Sequence, residues 1–210
     1  MLYIEQVKTL LYLIINGLIK ESRIFTHLTN SEKVVLNKLS KASKNKEITA
    51  VEIGSYLGAS SCFIAKGLCR NNGSKLYCID TWGNHAMTYD VEDKSDNKLI
   101  EQDTYLTFKK NTAKHRDKII ELKGWSTDVI HELKNKIDKI DYLFIDGDHN
   151  YLGVKKDWIM YSPLLVDGSI VIFHDTGWAE GVKRVIHEDV LNVSTLIKKL
   201  PNLEAYKIKK

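Results

Sequence analysis

The apolar residues of the chain follow two periodicities, which predict its helices and strands. Ile and Leu recur at helical spacing over 2–19, which predicts an amphipathic helix, and the capping box Thr29-x-x-Glu32 opens a second helix that runs to about residue 42. Short β-branched and apolar runs predict strands at 48–53, 75–79, 118–122, 140–145, 169–173 and 203–208. Helical patterns fill the gaps at 59–70, 102–113, 126–137, 151–162 and 179–199.

This alternation of strands and helices indicates an α/β fold. Right-handed crossovers would join the strands into a mostly parallel sheet of six or seven strands with helices on both faces. The 210 residues suffice for one well-cored domain, which we expect to span 46–210. We expect 1–45 to form a helical segment that packs on this core or lies at the interface of a homodimer.

The composition excludes some classes of protein. A net charge of +4 is too small to indicate nucleic acid as a partner. The longest apolar run of the N-terminal segment, Leu10 to Ile15, is far shorter than the roughly 20 residues that a transmembrane helix needs. The three cysteines have no metal-ligand spacing, and we interpret them as reduced thiols of a cytoplasmic protein.

Candidate ligand-binding residues lie directly after the strands, because ligands of open α/β sheets bind at the carboxyl ends of the strands. The first strand contains Glu52 and is followed by Gly54 and Gly58, which let the backbone approach a ligand at a helix N-terminus. Their G-x-x-x-G spacing differs from the G-x-G-x-x-G of dinucleotide-binding proteins, which favours a ligand without a pyrophosphate. A plain two-glycine turn is the competing interpretation.

The second and third strand ends offer further ligand-binding side chains. Asp80 ends the second strand, where a carboxylate suits bidentate binding of ribose hydroxyls, although it could also cap a helix. Trp125 follows the third strand and could stack on an adenine ring. Ser126 could bond to that ring, cap the next helix, or do both.

The fourth and fifth strands both end in acidic and imidazole groups. The stretch IDGDHNY holds Asp146, Asp148 and His149, and the fifth strand is followed by His174 and Asp175. Ends of neighbouring parallel strands converge, so we expect Asp146 and Asp175 to lie within reach of one divalent ion. Repetition of this pattern at two strand ends favours a functional site over a surface turn.

In this order and spacing, the motifs resemble those of class I S-adenosylmethionine-dependent methyltransferases, which have a Rossmann-like fold. The stretch EIGSYLGASS is similar to the cofactor loop of catechol O-methyltransferase. The stretches IDGDHNY and IVIFHD resemble a bacterial branch of metal-dependent O-methyltransferases that act on macrolide sugars and other natural products. The resemblance covers about 29–185 and implies methyl transfer to a hydroxyl of a small molecule or sugar.

The resemblance also implies a role for each matching residue. It makes Asp146 and His149 catalytic, with His149 as the base. It makes Asp146 and Asp175 ligands of Mg²⁺ or Mn²⁺, with His174 as the third candidate ligand. It assigns S-adenosylmethionine to Glu52, Gly54, Tyr56, Gly58, Ser60, Asp80, Trp82, Trp125, Ser126 and Asp146.

His174 departs from the pattern of these relatives, which usually carry two carboxylates, or a carboxylate and an amide, at this pair of positions. Mg²⁺ prefers oxygen ligands. Either His174 turns aside and Asp148 or water completes the shell, or the ion is Mn²⁺ or another transition metal.

Other functions compete with this hypothesis. They are a metal-independent methyltransferase, a non-catalytic S-adenosylmethionine-binding module, and a nucleotide-sugar or NAD(P)-binding oxidoreductase, against which the missing G-x-G-x-x-G argues. The polar segment 83–101 could close over the substrate or form a plain surface loop. Residues that could shape a pocket, or simply pack, are His85, Met87, Tyr151 and Trp178.

Overall fold

The computed structural model describes residues 2–41, 46–83 and 103–210, which contain one sheet of seven strands. The strands are β1 (Thr49–Ile53), β2 (Lys75–Asp80), β3 (Ile119–Lys123), β4 (Ile140–Ile145), β5 (Leu165–His174), β6 (Ser194–Leu200) and β7 (Leu203–Ile208). Their order across the sheet is β3-β2-β1-β4-β5-β7-β6. The first five are parallel, and β7 runs antiparallel to both β5 and β6. The predicted α/β class with a mostly parallel sheet is confirmed.

Helices cover both faces of this sheet. They are α1 (Leu2–Ile15), α2 (Asn30–Leu39), α3 (Ala59–Leu68), α4 (Thr104–Thr112), α5 (Ser126–Lys134), α6 (Tyr151–Tyr161) and α7 (Glu180–Val185), which continues as a π-helical turn (Ile186–Val190). Successive residues of a strand point to opposite faces. In β1, therefore, Val51 packs with α5, α6 and α7, whereas Ala50 packs with α2, α3 and α4. No helix of the described ranges is long and apolar enough to cross a bilayer.

The predicted helix over 179–199 is wrong in its second half. The helical backbone ends near Val190, and residues 194–200 form β6, which pairs with β7 through the hairpin at Pro201 and Asn202. β6 is an edge strand whose side chains are largely exposed. Its apolar residues therefore do not show the alternation of a half-buried strand, and the pattern misled the prediction.

The N-terminal helix also differs from expectation. It ends at Ile15 rather than near residue 19, and most of its aliphatic stripe faces outward, so of the two expected coverings the domain core is not the one that buries it. Of the predicted stripe, Leu18 is fully buried, but it lies beyond the helix. The capping box at α2 is present as predicted: the Thr29 hydroxyl accepts from the backbone N–H of Glu32, whose carboxylate accepts from the backbone N–H of Thr29.

Candidate active site

The order of the strands reverses between β1 and β4, and the candidate site lies at their carboxyl ends. Gly54, directly after β1, has a φ of +88°, and a Cβ at this position would lie 2.0 Å from the carbonyl oxygen of Asp146. The Asp146 backbone N–H in turn donates to the Ile53 carbonyl at 2.9 Å. A side chain at this position would therefore clash. Because glycine has none, the turn after β1 can contact the backbone at the start of IDGDHNY.

Glu52 lies beneath this turn. Its side chain is fully buried, and its carboxylate accepts hydrogen bonds from the hydroxyls of Ser55, at 2.8 Å, and Ser61. Burial raises the pKa of the Glu52 carboxyl, and the serine hydroxyls only partly oppose this rise. Ser60 is also buried, in the first turn of α3, whose N-cap is Gly58 at a φ of +84°. Through these hydrogen bonds the buried Glu52 carboxylate stabilises the loop between β1 and α3.

Asp80 ends β2 beside the same loop. Its two carboxylate oxygens accept from the backbone N–H groups of Tyr56, at 2.8 Å, and Trp82, at 2.6 Å. The indole of Trp82 donates to the Tyr56 carbonyl at 2.8 Å and packs against Tyr105 and Phe108. Burial raises the pKa of Asp80, although both N–H groups lower it. The carboxylate thus joins the loops after β1 and β2.

Trp125 and Ser126 lie at the start of α5. Trp125 is 57% exposed, as an aromatic surface for a ligand must be. The Ser126 hydroxyl donates to the buried carboxylate of Asp157 on α6, and Tyr161 donates to the Ser126 carbonyl at 2.8 Å. Burial, together with the charge of Asp148, raises the pKa of Asp157 to about 6. Asp157 is a partner that sequence reasoning missed, because nothing local links residues 31 positions apart.

The ends of β4 and β5 bring Asp146, His174 and Asp175 together. These side chains each offer one ligand atom, and the three atoms lie within 4.8 Å of one another. His174 Nδ1 is 3.0 Å from Asp146 Oδ1 and 3.2 Å from Asp175 Oδ1. Because β4 and β5 are adjacent and parallel, the predicted convergence of these strand ends is present.

Burial, neighbouring charges and hydrogen bonds shift the pKa of every member of this cluster. Burial raises the pKa of Asp146, and the nearby His174 only partly reverses this. Burial alone would lower the pKa of His174, but Asp146, Asp175 and Glu32 raise it to about 12. For Asp175 the opposing effect of burial is outweighed by hydrogen bonds from His149 and His174, so its pKa is lowered.

Asp175 accepts from donors on several elements. Its Oδ1 accepts from the Trp178 indole at 2.8 Å and from the Asn202 amide at 3.0 Å, and its Oδ2 is 2.8 Å from His149 Nε2. A φ of +59° at Asp175, rare for a residue with a side chain, aims the carboxylate into this set. The base predicted from the sequence is thus held by a predicted metal ligand.

Asn202 and Glu32 belong to this site and were not predicted as site residues. Asn202, in the β6–β7 hairpin, also contacts His174 Nε2 at 3.3 Å and accepts from the Gly177 N–H at 3.0 Å. Glu32 Oε2 is 3.8 Å from His174 Nε2. The sequence signal at Glu32 was its capping box alone, and Asn202 follows a strand that had been predicted as helix.

Beside the cluster, His149 lines a cavity of about 420 Å³ together with Tyr151, Trp178 and Arg184. The Trp178 ring lies 4.9 Å from the His149 ring, edge to face, and Arg184 stacks on Tyr151 at 4.0 Å. Asp148, which was considered as a ligand that could complete the metal shell, accepts from the backbone N–H of Asn150 at 2.8 Å. His85, Met87 and almost all of the polar segment 83–101 lie outside the described residues.

The fold and this site together define a class I methyltransferase-like domain. A family model described as a methyltransferase domain matches residues 51–176, and the chain belongs to this family. Protein y4gI of Sinorhizobium fredii (strain NBRC 101917 / NGR234) is 27% identical over 128 residues, which are 60% of this chain and 13% of that protein. The chain therefore spans a small part of this curated relative.

Solved structures of O-methyltransferases share the fold at low identity. NovP is 15% identical with a TM-score of 0.70, over 98% of this chain and 99% of that one. TomG from Streptomyces achromogenes, in complex with S-adenosylmethionine, is 15% identical with a TM-score of 0.65, over 87% and 82% of the two chains. CalS11, a calicheamicin methyltransferase, is 13% identical with a TM-score of 0.64, over 97% and 92%.

Proposed function

We propose that this protein transfers a methyl group from S-adenosylmethionine to a hydroxyl of a small molecule or sugar, with His149 as the base. The observation that carries the proposal is the arrangement of His149, Asp146 and Asp175 at two adjacent strand ends, next to the glycine turn. Ligands of such sheets bind at this edge, at the point where the strand order reverses. Membership in the methyltransferase-domain family supports this choice of reaction.

The cofactor would lie along the loops after β1, β2 and β3. Asp80, whose carboxylate joins two of these loops, would hold the ribose hydroxyls, and the exposed Trp125 would cover the adenine. The N-terminus of α3, with Ser60 in its first turn, would face the carboxylate of the methionine end, since a helix N-terminus favours an anion. The sulfonium of S-adenosylmethionine supplies the methyl group.

His149 would remove the proton of the acceptor hydroxyl. Its Nε2 faces Asp175 Oδ2 at 2.8 Å, so in the neutral ring the proton lies on Nε2 and Nδ1 is the atom that accepts. The Asp175 carboxylate then stabilises the imidazolium that forms, because the opposite charge is in hydrogen-bond contact. Tyr151 and Trp178, which line the same cavity, would orient the acceptor there.

Asp146, His174 and Asp175 would hold a divalent ion. Their ligand atoms are close enough to share one ion, and two carboxylates with one imidazole suit Mn²⁺ better than Mg²⁺. An ion here would lower the pKa of the acceptor hydroxyl and fix its position. The likeness to CalS11, described as a TDP-rhamnose 3'-O-methyltransferase, and to TomG, described as involved in tomaymycin synthesis, supports a sugar or natural-product hydroxyl as the acceptor.

A specific observation favours a second candidate, methyl transfer without a metal. The His174 ring lies between the two carboxylates, with Nδ1 3.0 Å from Asp146 Oδ1 and 3.2 Å from Asp175 Oδ1, where a ring proton pairs the cluster internally; Asp175 also accepts from Trp178 and Asn202. A metal must displace that proton and some of these contacts. Without it, His174 would provide the positive charge of the cluster and His149 would act with Asp175 alone.

Two binding measurements test the cofactor and the metal separately. Calorimetry with S-adenosylhomocysteine, and with NAD as the control ligand, tests the cofactor: binding of NAD alone would refute the methyltransferase assignment. Mn²⁺ binding, followed by electron paramagnetic resonance, tests the metal independently of activity. Metal binding that is lost in Asp146→Asn and kept in Asp148→Asn would support the ion.

Labelled S-adenosylmethionine with catechols and nucleotide-linked sugars then tests methyl transfer with and without EDTA. Transfer that stops in EDTA and returns with Mn²⁺ or Mg²⁺ supports metal assistance. Undiminished transfer in EDTA-stripped protein would refute it in favour of the second candidate.

A further inference from the structure

The N-terminal helix turns its apolar face away from the domain. Six aliphatic side chains of α1 are between 48% and 73% exposed, and they are Ile4, Val7, Leu10, Leu11, Ile14 and Ile15. At 3.6 residues per turn, these six fall within an arc of about 140° on one side of the helix. We call this set the outer face of α1.

The opposite side of α1 attaches the helix to the domain through a few apolar contacts and a hydrogen bond. Leu13 is buried in a small cluster with Leu18, Val34 and Phe63, and the Tyr12 hydroxyl donates to Asn37 at 2.6 Å. A helix on the surface of a soluble protein normally shows the reverse arrangement, with its apolar stripe toward the core. An apolar patch of this kind marks an interaction surface.

Four of the six residues of the outer face have a self-complementary spacing. Ile4, Val7, Leu11 and Ile14 are separated by three, four and three positions, so the pattern reads the same in both directions. A two-fold axis near residue 9 would place Ile4 against Ile14, and Val7 against Leu11, of a second copy. A two-fold interface requires such self-complementarity, and the three-four spacing is that of helices that pack side by side.

The charges of α1 argue against a membrane as the partner. Helices that lie on anionic membranes carry many Lys and Arg residues on their polar face. The charged residues of α1 are Glu5 and Lys8, whose charges cancel and which pair with each other at 3.4 Å. We propose that two copies of the chain associate through the outer faces of α1, antiparallel across a two-fold axis.

The test compares two isoleucines of equal exposure on different helices. Ile14 on α1 is 58% exposed and Ile159 on α6 is 57% exposed. In analytical ultracentrifugation we expect the unmodified protein and Ile159→Glu to sediment as dimers of the 24.1 kDa chain. Ile14→Glu should sediment as a monomer, because two like charges then enter one apolar interface. Far-UV circular dichroism verifies that the variants are folded.

The double variant Ile4→Lys/Ile14→Glu tests the antiparallel arrangement. In this register each new positive charge faces a new negative charge of the other copy, so the dimer should return. A monomeric unmodified protein at about 50 µM, far above the micromolar Kd of a weak complex, would overturn the proposal. So would a dimer that Ile14→Glu leaves intact. Binding of the monomer to phosphatidylglycerol vesicles would identify a lipid surface as the partner instead, and a dimer not restored in the double variant would refute the antiparallel register.

Discussion

Substitution of Gly54 by alanine tests whether the glycine turn positions Asp146. Gly54 has a φ of +88°, and the added Cβ would lie 2.0 Å from the Asp146 carbonyl oxygen, which is backbone and cannot rotate away. Left-handed backbone costs a residue with a side chain roughly 1–2 kcal/mol, and an overpacked contact costs about 1–3 kcal/mol more. We therefore expect Gly54→Ala to lower the free energy of unfolding by roughly 2–5 kcal/mol.

Gly17 provides the matched control for this substitution. Its φ is also positive, at +63°, but an added Cβ there would meet nothing within 4 Å. Gly17→Ala should therefore show the backbone cost alone, about 1–2 kcal/mol, less a few tenths gained from the restricted unfolded chain. The difference between the two variants isolates the clash with Asp146.

Thermal unfolding followed by circular dichroism measures both variants. For a chain of this size, 1 kcal/mol corresponds to a Tm shift of about 2–4 °C, so Gly54→Ala should melt on the order of 10 °C below the unmodified protein. It should also bind S-adenosylhomocysteine and Mn²⁺ more weakly, since Asp146 moves with its carbonyl. Equal melting temperatures for the two alanine variants would refute the steric argument.

Three further predictions follow from individual contacts of the site. Asp80→Ala should weaken S-adenosylhomocysteine binding by roughly 10- to 100-fold in calorimetry, because a charge-assisted contact of about 1.5–3 kcal/mol is lost; unchanged affinity would refute the ribose assignment. His149→Gln should keep S-adenosylhomocysteine and Mn²⁺ binding but lower the rate of methyl transfer by roughly 10²–10⁴-fold, and an undiminished rate would exclude His149 as the base. Asp157→Asn should raise the Tm at pH 8 and leave it nearly unchanged at pH 4. The pKa of the Asp157 carboxyl in the folded protein is raised to about 6, so the protonated carboxyl contributes stability below the unfolded pKa near 3.8. This contribution is lost as the pH rises through about 6. The gain at pH 8 should not exceed roughly 3 kcal/mol, and an equal effect at both pH values would contradict the assigned pKa.

Much of the fold follows from local patterns. The five parallel strands and the helices between them were predicted from apolar runs and helical spacing, and the capping box at Thr29 and Glu32 from two residues. These elements depend on neighbours in the chain, so a window of the sequence contains their cause. The prediction from local patterns failed for the edge strand β6, because its pairing with β7 outweighs the local pattern of its own residues.

The candidate site shows the same division. The sequence alone placed Asp146, His149, His174 and Asp175 after two apolar strands, and the rule that parallel strand ends converge was enough to expect them together. Which atoms meet depended on the packed structure. The Asp175 carboxylate binds His149 through Oδ2 and Asn202 through Oδ1 because its backbone has a φ of +59° and because the hairpin folds over it.

Contacts between distant segments could not be predicted from the sequence, and the reason is physical. Asp157 meets Ser126, and Glu32 meets His174, only after the sheet has set the order of its strands and the helices have packed on it. The direction of the α1 stripe was equally undetermined, since periodicity shows that a helix has an apolar side but not what covers it. Local spacing therefore determined the elements and the edge of the sheet that carries the site, whereas long-range packing decided which side chains share a proton, a charge or a surface.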